Sequence, residues 1–108
     1  MELQSIVKEL HATVGRLQNA EREVFKLGND AAETERIYRQ ELSKQYLTLK
    51  SEGMPATLIG EIARGNIAEL KFERDIAANR FRTGFSAMDA LKVEINALQS
   101  ILKNQSDL

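Results

Sequence analysis

At 108 residues the chain is long enough for one domain, and an apolar share of 43% excludes wholesale disorder. Fifteen basic against sixteen acidic residues leave a net charge of −1, so no global field draws it to nucleic acid or a membrane surface. The absence of cysteine removes disulfides, thiolate nucleophiles and thiolate metal ligands.

The start, Met1 to Ser5, lacks the basic end and apolar block of a signal peptide. No uncharged stretch approaches the roughly 20 residues of a membrane helix. The expectation is a soluble cytoplasmic protein with no membrane contact.

A first helical arm is predicted over about residues 2–52. Its apolar ladder climbs in steps of four and three through Leu3, Val7, Leu10, Val14, Leu17, Val24, Ala31, Tyr38, Leu42 and Leu49. Glu21, Gly28, Glu35 and Gln45 interrupt it, and a parallel line of Ala20, Leu27 and Thr34 carries the face past the first three. Gly28 stands just before a possible Asp30/Glu33 capping box, so a kink or stop is possible at 28–30. A glycine inside a helix costs only about 1 kcal/mol, and one continuous or slightly bent helix is favoured.

The stretch from Gly53 to Asn66 holds the only proline and three of the six glycines. Gly53 suits the left-handed residue that closes a helix, and Pro55 suits the first turn of the next. A connector helix is predicted over 55–64, closed by Gly65, with Asn66 and Glu69 capping the second arm. Leu58 and Ile62 are expected to close the end of the core. Ile59, beside Glu61 and Arg64, is expected to stand exposed at the tip as a candidate partner contact.

The second arm, 66–104, is the more regular. Ile67, Leu70, Arg74, Ala77, Phe81, Gly84, Met88, Leu91, Ile95, Leu98 and Leu102 follow one seam, with a frayed tail at 105–108. Folding the arms together pairs residues whose numbers add to roughly 117 if both rise equally from the elbow's centre. Tyr38 then meets Asn79, Gly28 meets Met88, and Val14 meets Leu102. Arg74 either pairs with Glu41 or reaches solvent. The predicted fold is all-α: a long, coiled-coil-like antiparallel helical hairpin with a short connector helix. The alternative is a three-helix bundle broken at Gly28–Asp30.

One seam per arm serves a hairpin, yet Ile6, Phe25, Ile37, Leu47, Phe72, Ile76, Phe85 and Ile101 lie off both ladders. So wide a stripe faces more than one neighbour, which predicts a homo-oligomer, most simply a dimer forming a four-helix bundle. The ladder residues Leu10, Leu17, Val24, Tyr38, Leu42 and Leu49, with their counterparts from Ile67 to Leu102, are the expected core and oligomer seam.

Chemistry is thin. His11 is the only histidine and has no partner nearby in sequence, so a di-iron bundle with its two Glu-x-x-His pairs is excluded. The elbow glycines lack the Gly-Lys-Ser/Thr ending of a phosphate loop. Acidic residues alternate with basic ones at the spacings of a solvated helix face, as in Glu33/Arg36 and Glu35/Arg39. No catalytic residue, cofactor or metal is expected. Arg36, Arg39, Arg74, Arg80 and Arg82 could form a basic belt for nucleic acid, but neighbouring carboxylates make mutual ion pairing the stronger expectation.

The elbow wording Glu52-Gly53-Met54-Pro55-Ala56-Thr57-Leu58-Ile59, then Ile62-Ala63-Arg64-Gly65 and Leu70-Lys71-Phe72-Glu73-Arg74-Asp75, resembles small helical proteins of phages and prophages of Gram-positive bacteria. The resemblance covers roughly residues 36–102. It implies a phage accessory protein in the cytoplasm of a bacterial host; with the residues above, the leading expectation is a non-enzymatic interaction or adaptor protein with an unidentified protein partner. Two alternative readings are an accessory nucleic-acid-binding factor in phage replication or recombination, using the arginine belt, and an inhibitor of a host enzyme.

Overall fold

The computed structural model describes residues 2–106. They form an all-α helical hairpin of three helices: α1 (Leu3–Ser51), α2 (Ala56–Asn66) and α3 (Ala68–Ser106). α1 runs unbroken through Gly28–Asp30, which excludes the three-helix alternative. Asp30 and Glu33 cap nothing there. Thr34 donates its hydroxyl to the Asp30 carbonyl at 2.9 Å, and Glu33 binds Arg36. The ring of Phe81 explains why the glycine is tolerated, since its Cε1 stands 3.2 Å from where a Cβ on Gly28 would be.

The first arm ends as its glycine predicts. Gly53 has φ +82, its N–H donates to the Lys50 carbonyl, and the Met54 N–H reaches back to Leu49 at 3.0 Å. These are the two bonds of a Schellman closure. Pro55 then sits one position earlier than expected, as the N-terminal flanking residue of α2 rather than in its first turn.

The other end of α2 departs from expectation. Gly65 keeps helical backbone and closes nothing, and α2 continues to Asn66. The Asn66 side chain donates to Gln45 at 3.0 Å instead of serving the capping box. Ile67 alone leaves the helix, at φ −117 and ψ 28, and α3 starts at Ala68. At its far end α3 persists through Gln105 and Ser106, where fraying was expected; the rest of that tail, Asp107 and Leu108, lies outside the described residues. Gly65→Ala is therefore expected to stabilise the fold by about 0.5–1 kcal/mol, since nothing lies within 4 Å of the added Cβ. Gly53→Ala should cost about 1–2 kcal/mol, because it forces an L side chain into left-handed backbone. Thermal melts of the two variants should move in opposite directions.

The chain divides into two compact units. One joins α1 up to Lys26 with α3 from Arg82 onward; the other runs from Leu27 to Phe81 and contains the elbow. In the elbow unit, Gly28 faces Phe81, Glu35 and Tyr38 meet Arg74, Gln45 meets Asn66, and Tyr46 meets Arg64. Those pairs add to 109–112, not about 117. The chain thus pivots near Pro55, because Gly53 completes the reversal before α2 begins. α2 is the first stretch of the returning arm and lies against α1.

Within the elbow unit the buried positions are Tyr38, Leu49, Ala63, Ile67 and Ala77, with Ala31, Leu42 and Leu70 half-covered. In the other unit Val24, Met88 and Leu98 are buried, and Leu10, Leu17, Leu91, Ile95 and Leu102 half-covered. There the inner line of α1 is Ile6, Leu10, Thr13, Leu17, Ala20 and Val24. Val7 and Val14, expected inside, stand exposed one position round. The buried Thr13 hydroxyl donates to the Glu9 carbonyl at 2.8 Å and accepts from Arg16 at 2.9 Å, so its polarity is satisfied. Arg16 also reaches Glu9 at 3.2 Å and Glu94 on α3 at 3.4 Å.

Candidate interaction surface

Part of the charged surface is paired locally, and those pairs bear on where a partner could bind. In the elbow unit Arg74 is half-buried and stacks over the Tyr38 ring, 4.3 Å from its centroid. Its guanidinium lies 3.0 Å from Asp75 and 3.5 Å from Glu35, so in the shifted register it meets these carboxylates rather than Glu41 or open solvent. The Asp75 hydrogen bond raises the Arg74 pKa above its ordinary value. In turn, hydrogen bonds from Lys71 and then Arg74 hold the Asp75 carboxyl below its usual range. Arg39 binds Glu35 at 2.7 Å, and Lys44 binds Glu41 at 3.1 Å.

The proposed basic belt is largely occupied. Arg36 grips Glu33 with two nitrogens, and this bond lowers the Glu33 pKa and raises that of Arg36. Arg36 also donates to Gln40 at 3.1 Å. Arg82 is engaged as well. Arg80 lines a groove of about 630 Å³ between α1 and α3 in the elbow unit. Asp30, Glu33, Thr34, Glu69, Phe72, Glu73, Ile76 and Ala77 line the rest.

At the elbow the roles expected of two neighbours are reversed. Leu58 is 45% exposed, while Ile59 is half-covered. Ile59 and Ala63 stand one turn apart, and the same spacing continues through Ile67 and Leu70, so α2 presents to α1 the stripe that α3 continues. Glu61 and Arg64 are exposed, but Arg64 folds back over Gly60 toward the Tyr46 hydroxyl, 3.5 Å away. Ile59→Lys is accordingly expected to lower stability by about 1–2 kcal/mol, and Leu58→Lys to change it by less than about 0.5 kcal/mol. Denaturant midpoints of the two variants decide it; an equal or opposite order would return Ile59 to the surface.

Large apolar side chains remain open in both units. Phe25 is 71% exposed and Val93 67% in one; Leu47 is 69% and Phe72 59% in the other. Phe85 and Ile101 are exposed too, whereas Ile6 is fully buried and Ile37 and Ile76 are half-covered. Among the described residues no group of three or more His, Cys, Asp or Glu side chains is placed to hold a metal, and no helix is long and apolar enough to cross a membrane. No family model, no curated protein and no solved structure matches this chain.

Proposed function

We propose that this chain is a non-enzymatic helical interaction protein that works by self-association and protein–protein contact. The observation that carries the reading is the set of open aromatic and aliphatic side chains, Phe25, Leu47, Phe72 and Val93. Apolar groups of that size, rimmed by polar residues, mark contact surfaces when they gather. Self-association, most simply as a dimer, would cover part of them. A cytoplasmic adaptor of phage or prophage origin fits this reading through the wording of the elbow alone. The nucleic-acid alternative is weaker, because Arg36 and Arg39 already satisfy Glu33 and Glu35. Inhibition of a host enzyme would be one use of the same surface.

Sedimentation velocity at micromolar concentration tests the proposal. The expected species is heavier than the 12.2 kDa monomer, and Phe25→Glu with Val93→Glu should shift it toward monomer while circular dichroism keeps its helical signal. A parent that sediments as monomer across the accessible range defeats the self-association part.

A further inference from the structure

The two flanks of the elbow unit are unlike in charge. Along one, the cations Lys71, Arg74 and Arg39 pair with the carboxylates of Asp75 and Glu35 through contacts of 2.7–3.5 Å. Along the other lies the groove, where Phe72 and Ile76, one turn apart on α3, supply apolar surface. Four carboxylates, Asp30, Glu33, Glu69 and Glu73, rim it against the single lining cation Arg80. Glu33 is bound by Arg36, but among the described residues the Asp30, Glu69 and Glu73 carboxylates enter no ion pair. A chain with nearly as many bases as acids has left this rim acidic while pairing both carboxylates of the opposite flank with cations.

We propose that this groove docks a basic amphipathic helix of a partner protein. The partner's apolar face would lie on Phe72 and Ile76, and its flanking lysines or arginines would meet Glu69, Glu73 and Asp30. Helix-in-groove binding takes its affinity from apolar anchors repeating every three or four residues. The acidic rim selects the sign of the flanks and speeds encounter. Arg80, as the one lining cation, favours an acidic residue on the partner at its own end and so gives the docked helix a direction. The inference rests on the interaction-protein reading and names the chemistry of one partner.

Two synthetic helical peptides provide the probe. Both carry the same leucines at i, i+3, i+4 and i+7; one is flanked by Lys and Arg, the other by Glu. By fluorescence anisotropy the basic peptide should bind the full chain, weaken as salt is added, and exceed the acidic peptide by about tenfold or more. Asp30→Lys with Glu73→Lys, and separately Phe72→Ala, should each weaken it by about tenfold, whereas Leu47→Ala, exposed in the same unit but outside the groove, should not. Circular dichroism confirms that each variant is folded. Equal binding of the two peptides, no binding of the basic one, or indifference to both groove variants overturns the proposal. Sedimentation of the same samples separates the two claims. A monomeric parent that still prefers the basic peptide ends self-association and leaves the groove standing. Loss of an oligomer on Phe72→Ala would instead assign the groove to a second copy.

Discussion

Leu98→Asp is expected to unfold the chain at physiological temperature. Leu98 is only 7% exposed on α3. A carboxylate there either stays charged without a partner, costing about 3–5 kcal/mol, or takes up a proton and leaves a buried polar group. Small domains hold about 5–15 kcal/mol in all, and a two-helix core lies at the lower end. Leu91→Asp should do less harm, because Leu91 is half-covered and its carboxylate can reach water. Thermal melts followed by circular dichroism read both. Parent-like melting of Leu98→Asp would mean that the second arm does not pack where the structure puts it.

The second large effect is expected at Tyr38. Tyr38 is 6% exposed, lies on the inner line of α1 and carries Arg74 on the face of its ring. Tyr38→Ala removes the apolar body and leaves the guanidinium without that face, for a loss of about 3–4 kcal/mol. Tyr38→Phe keeps ring and stacking and should stay within about 1 kcal/mol of the parent. A cycle of Tyr38→Leu and Arg74→Met then isolates the stacking itself, expected at about 0.5–1 kcal/mol. If Tyr38→Ala and Tyr38→Phe denature alike, Tyr38 is not the anchor described.

What could be read from the residues alone follows from which signals are local. Gly53 as the closing residue, α1 passing through Gly28, and the burial of Val24, Tyr38, Leu49, Ile67, Met88 and Leu98 all come from short-range pattern and turn chemistry. Register is not local. It depends on where the reversal is complete, and counting α2 as part of the bend moved every cross-arm partner by about seven residues, two turns of helix. The same misplacement exchanged Leu58 with Ile59. Following the stripe backward from Ile67 through Ala63 to Ile59 would have shown that α2 is in phase with α3. Thr13 was missed for another reason. A ladder built from apolar residues prefers Val14, while the structure accepts a threonine because Glu9 and Arg16 take up its hydroxyl. The acidic groove had no linear signature, since Asp30 and Glu33 come from one arm and Glu69 and Glu73 from the other.

The position of the pivot also limits how such a sequence can change length. A single residue gained or lost between Pro55 and Arg74 would turn everything beyond it by about 100° and slide it about 1.5 Å, separating Arg74 from Tyr38 and Phe81 from Gly28. Whole heptads, added or deleted on both sides of Pro55 together, restore phase and partner at once. Relatives of this chain that differ in length should therefore carry their insertions as matched pairs about the proline, and an alignment with a lone gap in one arm should be distrusted.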